Sequence, residues 1–286
     1  MRLFFLLTIL CLIECQQRAI PGGPFSWGIP QGSVDRKIEE ASGLISSTVN
    51  PGMLWTHNDS GNPAEIFLID SAAKIKMTCT LKGIKNRDWE DITIGPGPKK
   101  GKTYIYVGDI GDNLSQYATK LIYRFEEPLF DSETKEIKEV ETLMIQLSDG
   151  VRDTEAMMID PVSNNLFLVS KREDSVRLYQ VDYPFAKGML LTAKKVAVLD
   201  LTQIVAANIS RNGEEVLMKN YNLVYYWKRK PEQSLIELLQ QKPVKLPYDS
   251  EAQGESICFA YDEKGYYTLS ESSGNRSADL MYYKRK

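Results

Sequence analysis

The sequence is poor in the residues that most zinc sites and many nucleophilic mechanisms require. It contains one histidine, His57, and four cysteines among 286 residues. A single histidine excludes zinc sites built from several histidines and any mechanism that needs two of them. Lysine and arginine total 35 against 38 aspartates and glutamates, a formal net charge of −3. Because there is no basic excess, nucleic acid and anionic membrane surfaces are not expected partners.

Long hydrophobic runs are confined to the N-terminus. Arg2 is followed by an apolar run from Leu3 to Ile13. This run is too short to cross a bilayer core of about 30 Å, so no membrane span is expected. A positive charge followed by such a run predicts a signal peptide, which we place at residues 1–18, and therefore a secreted, extracellular protein. The alternative is a bacterial envelope lipoprotein modified at Cys15.

A pattern of short apolar strands and turns recurs five times along the rest of the chain. Each repeat opens with a polar residue, usually glutamate, followed by a short apolar strand, at intervals of roughly 50 residues. Turn residues follow each opening, among them Asn-Gly and Pro-Gly pairs that are typical of hairpins. The openings are Glu40–Leu44, Glu90–Ile94, Glu155–Ile159, Asn208–Ser210 and Glu255–Phe259.

Further β-rich segments after each opening complete units of about four strands, which indicate a β-propeller. We therefore predict an all-β fold, a single five-bladed β-propeller domain over residues 19–286, with six shorter blades as the alternative. The last repeat lacks a fourth strand, and we expect the stretch before Glu40 to supply it and close the ring. A short helix is predicted within 231–241, and an exposed loop or outer hairpin at 131–140.

Two cysteines remain after removal of the signal peptide, Cys79 and Cys258. They belong to the first and last repeats, which a closed ring makes neighbours. In an oxidising compartment they either form one disulfide or stay as buried free thiols.

The Asn-x-Ser pattern marks sites where a eukaryotic secretory pathway would attach glycans. It occurs at Asn58, Asn113, Asn208 and Asn275. Since Asn58 and Asn208 fall on the predicted functional face, Asn113 and Asn275 are the favoured positions for a glycoprotein.

The geometry of a propeller suggests a role for the repeated glutamate. The innermost strand of each blade lines the central channel, so the openings converge on one mouth of that channel. Carboxylates gathered there repel one another, and a hard cation such as Ca²⁺, which prefers oxygen ligands, is the simplest compensation. The alternative is that each glutamate pairs with a neighbouring cation or with backbone. The predicted metal ligands are Glu40, Glu90, Glu155, Asn208, Ser210 and Glu255.

The ends of the second strands should open on the same face and supply candidate catalytic residues. Lys171, Arg172 and Lys219 either neutralise the carboxylates or hold an anionic substrate beside the metal. His57 is either a general base or a hydrogen-bonded structural residue, and the tight turn after it favours the structural role slightly.

Several motifs resemble a family of secreted β-propeller proteins, widespread in bacteria, that has no settled activity. They are Leu54–Gly61, Asp88–Asp91, Tyr106–Asn113, Asp153–Met157 and Gln253–Glu255. The resemblance covers nearly the whole mature chain. It departs at the fourth repeat, where Ala206–Ser210 replaces an acidic opening, and this departure implies weaker cation binding or an altered geometry.

A more distant likeness, in architecture and repeated glutamate only, is to the calcium-activated nucleotidases (apyrases). Those are five-bladed propellers with a central calcium held by glutamate and serine residues of the inner strands. The likeness implies calcium ligands at Glu40, Glu90, Glu155, Ser210 and Glu255. Propellers of the gluconolactonase type, which hold one divalent cation in the channel, are a third comparison.

Two classes of function fit these features. The first is an extracellular binding or matrix protein whose central ion is structural, and it is favoured because no nucleophile motif is visible. The second is a divalent-cation-dependent hydrolase of an anionic small molecule, nucleotidase- or phosphoesterase-like and with less support lactonase-like. In that case the cation would polarise the substrate and a bound water.

Overall fold

The computed structural model describes residues 22–274 and 276–286, and the predicted signal peptide, Cys15 and Asn275 lie outside them. Apart from one helix, α1 (Leu235–Leu239), the regular elements of these residues are strands. The strands are β1 (Ile29–Ser33), β2 (Ala41–Ser46), β3 (Met53–Asn58), β4 (Glu65–Asp70), β5 (Ile75–Leu81), β6 (Trp89–Pro96), β7 (Thr103–Asp109), β8 (Lys120–Glu126), β9 (Thr134–Ile137), β10 (Glu141–Leu147), β11 (Thr154–Ile159), β12 (Leu166–Ser170), β13 (Arg177–Val181), β14 (Leu190–Val198), β15 (Ala206–Ile209), β16 (Glu215–Lys219), β17 (Val224–Lys228), β18 (Val244–Leu246), β19 (Ser256–Phe259), β20 (Gly265–Leu269) and β21 (Asp279–Lys284).

The strands form antiparallel groups arranged in a ring. The groups are β2-β3-β4-β5, β6-β7-β8-β10, β11-β12-β13-β14, β15-β16-β17-β18 and β19-β20-β21-β1. A parallel pair, β10 with β14, joins the second and third groups into one continuous sheet. The first strands of successive groups pack against one another, and β19 packs against β2, so the ring is closed. The prediction of an all-β propeller is confirmed.

The chain closes its ring with the N-terminal segment, as the sequence predicts. Strand β1 pairs with β21 from Ile29 opposite Tyr282 to Ser33 opposite Asp279. Just before β1, the fully buried Phe25 ring meets Tyr226 and Tyr266 edge-on, with centroid distances of 5.7 and 5.0 Å. The first and last segments of the described chain therefore share one sheet, which covers an edge that would otherwise be open.

Burial explains why inner and outer strands have different sequence patterns. All six residues of β11 are buried, because an inner strand is covered by its neighbours on both faces. In the outer strand β10, buried Leu143, Ile145 and Leu147 alternate with exposed Met144 and Gln146. The apolar core lies between adjacent groups, where such faces meet. Within the described residues no helix is long and apolar enough to cross a membrane.

Two peripheral segments differ from the sequence expectation. The stretch 131–140 is neither loop nor hairpin, since it contains β9, which pairs in parallel with β5 from Thr78 opposite Thr134 to Leu81 opposite Ile137. This pairing covers the outer edge of the first group. The helix is shorter than predicted and starts after Ser234, whose hydroxyl accepts a hydrogen bond from the Glu237 amide in a capping box.

The cysteines and asparagines singled out in the sequence can be placed directly. Cys79 and Cys258 are buried free thiols, so of the two alternatives the structure shows unbridged cysteines. Asn58 and Asn208 are buried, and the Asn58 amide donates to the carbonyl of Lys37. Asn113 is exposed in the loop after β7, which leaves it as the accessible Asn-x-Ser asparagine among the described residues.

Candidate functional site

Carboxylates converge at the mouth of the channel where the inner strands begin. Asp59, Asp88 and Glu90 place carboxylate oxygens within 4.8 Å of one another. Asp59, Glu255 and Glu271 form a second such group. Asp59 belongs to both groups and links them. We call these five residues the channel-mouth cluster.

Local irregularity in the inner strands aims the glutamates at the mouth. The pairing of β6 with β7 shifts between Trp89 and Asp91, which leaves Glu90 outside the ladder. The pairing of β11 with β12 shifts in the same way around Glu155. Such a bulge turns a side chain away from its regular direction, and Glu90 accordingly lies in the channel-mouth cluster.

The loop after β7 packs directly on the cluster. A Cβ atom at Gly111 would lie 2.1 Å from Oε1 of Glu90 and 2.5 Å from Oδ2 of Asp88. The Gly111 amide donates to the Asp88 carbonyl at 3.2 Å. The loop therefore approaches these carboxylates so closely that a larger residue at position 111 would require them to shift.

Two other acids in this motif-rich region have structural partners. Asp112 accepts from the buried Lys120 ammonium at 3.1 Å and from the amides of Gln116 and Tyr117. Asp109 pairs with Arg87 at 2.8 Å. Both acids therefore hold the loop above the mouth.

Burial and mutual repulsion oppose full ionisation of the cluster. Burial is the largest cause that raises the pKa of Asp59 to about 7, with Glu255 and Asp88 adding repulsion. Burial and then Glu255 raise the pKa of Glu271 to about 8. The pKa of the almost fully buried Glu90 is also raised well above its ordinary value, by burial first. The arrangement therefore favours either protonation or a bound cation.

These pKa directions predict how stability depends on pH in a chelator. A carboxyl whose pKa is raised on folding contributes stability below its ordinary pKa of about 4, and that contribution is lost as pH rises through the folded value. For Asp59 and Glu271 the folded pKa values are about 7 and about 8. We therefore expect the free energy of unfolding, measured by urea titration with EDTA, to fall between about pH 4 and pH 8. A profile that is flat over this range would contradict the electrostatics described here.

The structure brings part of the predicted ligand set together. Glu90 and Glu255 lie in the channel-mouth cluster. Glu155 is buried beside it, but its Oε2 lies 2.8 Å from Nζ of Lys171. Glu40 is exposed on the rim, where it accepts from the Asn62 amide at 2.5 Å.

The predicted register of the fourth repeat is wrong. Counted back from Ile159 and Ile209, the last residues of β11 and β15, the equivalent of Glu155 is Val205. Asn208 lies further along the strand, and its Oδ1 accepts from the Phe259 amide at 3.0 Å. Ser210 follows the end of β15.

Neither Asn208 nor Ser210 therefore reaches the acidic mouth. The Ser210 hydroxyl donates to Oδ1 of Asn212 at 2.7 Å and accepts from the Glu215 amide. The sequence pattern misplaced this opening because it has no acid to mark the strand start.

The four candidate catalytic residues all have partners within the described structure. His57 is fully buried, its Nδ1 lies 3.0 Å from the Asn58 carbonyl oxygen, and burial lowers its pKa to about 4. The Lys171 ammonium pairs with Glu155 and the Arg172 guanidinium with Asp153, at 2.8 and 2.6 Å.

Lys219 is completely buried at the end of β16. Its ammonium donates to the Gly254 carbonyl oxygen and lies 3.4 Å from Oε2 of Glu251. The Glu251 carboxylate also accepts from the Tyr248 hydroxyl at 2.8 Å. This buried network holds the segment that leads into Glu255, so Lys219 has a structural role in positioning that segment.

Sequence reasoning did not assign Asp59, Asp88 and Glu271 as ligands. Asp59 and Glu271 each follow the second strand of a repeat, the position that Lys171 occupies in the third repeat. This shared position after the second strand was the sequence feature from which Asp59 and Glu271 could have been predicted as ligands. The opening glutamates alone could not reveal which neighbouring acids the ring would bring within reach.

Comparison with known proteins establishes the fold and nothing finer. No protein-family model matches the sequence, and a search of curated proteins finds no match. A solved gluconolactonase from Xanthomonas campestris superposes with a TM-score of 0.52 at 8% identity, covering 93% of this chain and 97% of that one. A luciferin-regenerating enzyme gives a TM-score of 0.49 at 10% identity, with coverage of 92% and 95%. The Dos1 propeller gives 0.40 at 12% identity, with coverage of 85% and 68%.

Proposed function

We propose that this chain is a secreted propeller of five blades that binds a hard divalent cation, in the first place Ca²⁺, at its channel-mouth cluster. We further propose that it acts as an extracellular binding or matrix protein. The observation that carries the proposal is the shared position of Asp59, whose carboxylate belongs to two groups of three acids. One cation between these groups would favour their ionised forms, whose pKa values are otherwise raised first by burial and then by mutual repulsion.

The donor set suits an oxygen-preferring ion. The cluster offers carboxylate oxygens only, and His57 and both described cysteines are buried elsewhere. Ca²⁺ accepts about 6–8 oxygen ligands with flexible geometry, whereas structural zinc sites are built mainly from cysteine and histidine. Glu255 is held in place by the Tyr221 hydroxyl, which donates to its Oε1 at 2.6 Å. A hydrogen bond of this kind fixes one ligand before the ion arrives.

The binding role is favoured over catalysis by the state of the nearby cations. Lys171 and Arg172 each pair with a carboxylate, and Lys219 is buried behind the site. Cations that are already neutralised hold an anionic substrate poorly, because binding would have to break an existing ion pair.

One observation favours the hydrolase as a second candidate. Glu271 is half-buried at the mouth, and its pKa is raised to about 8 by burial and by Glu255. A carboxyl that changes protonation near neutral pH suits general acid or base chemistry beside a cation. In that reaction Glu271 would exchange a proton with substrate or water, while the cation would supply polarisation.

Calorimetric titration of the protein with Ca²⁺, Mg²⁺ and Mn²⁺ tests the cation site. We expect Ca²⁺ to bind, and Glu90→Gln to weaken its binding at least about tenfold, because a charged ligand of the cluster is lost. Glu232→Gln, which removes an exposed carboxylate before α1, is the matched control and should leave binding unchanged. If no ion binds, or if both variants bind as the wild type does, the proposal fails.

The same preparation separates the two roles. Turnover of p-nitrophenyl phosphate or a gluconolactone that requires the cation and disappears in Glu271→Gln would establish the hydrolase. Cation binding without turnover of either substrate would support the binding protein.

A further inference from the structure

The opposite mouth of the channel contains a cavity with different chemistry. It has a volume of about 320 Å³ and lies where the inner strands end, away from the channel-mouth cluster. Every inner strand contributes to its wall. The five apolar side chains, one from each inner strand, are Ile45, Ile94, Ile159, Ile209 and Phe259. We call this cavity the lower pocket.

Polar side chains also line the lower pocket, between and around these apolar residues. Buried Thr93 and Asn208 line it, and the Asn208 amide oxygen is engaged by the Phe259 amide. Small-molecule sites typically combine an apolar wall, a few polar groups and a volume of about 300–1,000 Å³. The lower pocket lies at the small end of that range, which suits a ligand built around one ring.

The charged residues that line the lower pocket favour a ligand of negative charge. The residues that line the cavity include Lys102 and Arg211 and no aspartate or glutamate. Lys102 is paired with Glu126 at 2.8 Å, so its charge is already compensated. In the part of the chain that the structure describes, no carboxylate lies within 4.0 Å of the Arg211 guanidinium, which is stacked over the Tyr261 ring at 4.1 Å.

Stacking leaves the guanidinium able to act as a receptor. Its face is held by Tyr261, so the N–H groups at its edge remain directed away from the ring. A carboxylate matches this edge, because a guanidinium donates two parallel hydrogen bonds to its two oxygens. The acidic mouth at the other end of the channel would repel the same ligand, so the two ends differ in what they accept.

We propose that the lower pocket binds a small organic carboxylate, with its apolar body against the five inner-strand side chains and its carboxylate at Arg211. This site is independent of the proposed cation site, since none of its lining residues belongs to the channel-mouth cluster.

Titration with sodium benzoate, followed by ligand-observed NMR in the presence of EDTA, tests the proposal without dependence on any cation. We expect benzoate to bind and neutral benzamide, which has nearly the same shape, to bind at least about tenfold more weakly, because it cannot pair with the guanidinium. Arg211→Gln should weaken benzoate binding by a similar factor and leave benzamide unchanged. Arg36→Gln, a change at another exposed arginine, is the matched control and should alter neither.

A second variant tests the position of the ligand. Ile159→Val removes one methylene group from the apolar wall and introduces no charge. It should therefore weaken the binding of benzoate and of benzamide alike. Thermal unfolding checks that the variant is folded. Equal binding of benzoate and benzamide, unchanged benzoate affinity in Arg211→Gln, or no benzoate binding at millimolar concentration would each overturn the proposal.

Discussion

Phe25→Ala is expected to destabilise the protein by about 3–5 kcal/mol, the usual cost of deleting a fully buried aromatic side chain. The Phe25 ring is completely buried against Tyr226 and Tyr266, and the Arg285 guanidinium lies 4.6 Å from its centroid. It therefore joins the segment before β1 to the last two groups of the ring. Urea unfolding followed by tryptophan fluorescence measures the effect.

Ile29→Ala is the matched control for this prediction. Ile29 lies in β1 itself but is 55% exposed, so its truncation should change the free energy of unfolding by no more than about 0.5 kcal/mol. A small effect of Phe25→Ala would mean that ring closure depends on the β1–β21 hydrogen bonds and not on this aromatic contact.

A divalent cation is expected to stabilise the folded chain by about 2.7 kcal/mol at one hundred times its dissociation constant. The ion would bind the native cluster, in which Asp59 links two groups of carboxylates, and would find no such arrangement in the unfolded chain. Thermal and urea unfolding in Ca²⁺ and in EDTA measure the difference. Mg²⁺ and Zn²⁺ serve as comparison ions, which show whether the site prefers hard ions or the softer Zn²⁺.

One variant, measured under two conditions, makes this prediction specific. Asp59→Asn should abolish most of the Ca²⁺ effect, because it removes the carboxylate common to both groups. In EDTA near pH 8 the same variant should be at least as stable as the wild type, since it removes one of the repelling charges. If Ca²⁺ stabilises Asp59→Asn as strongly as it does the wild type, the ion binds elsewhere.

Strand positions were largely predictable because they depend on local pattern. The alternation in β10 and the continuous apolar runs of β11 follow from burial on one face or two, and β2, β6, β11 and β19 begin within one residue of the predicted openings. The closing role of the N-terminal segment followed from the missing fourth strand of the last repeat. The capped helix was also visible in the sequence, from the apolar run after Ser234.

The fourth repeat shows where pattern fails. Ala206–Ser210 contains no acid, so the sequence offered Asn208 and Ser210 as polar substitutes for an opening glutamate. The actual register follows from the pairing of β15 with β16, in which Ala206 lies opposite Lys219. Strand register depends on side-chain packing against the neighbouring strand, and isolated polar residues in a short apolar segment do not reveal it.

The sequence by itself determined the class of fold and the acidic character of the repeated openings, because both follow from periodic local chemistry. Only the tertiary structure decided which carboxylates meet, since Asp59 and Glu271 come from opposite ends of the chain and become neighbours through ring closure. It also decided that Glu155 pairs with Lys171 and that Glu40 stays on the rim. Distances of a few ångströms between residues distant in sequence depend on how the whole ring closes, and local pattern carries no information about them.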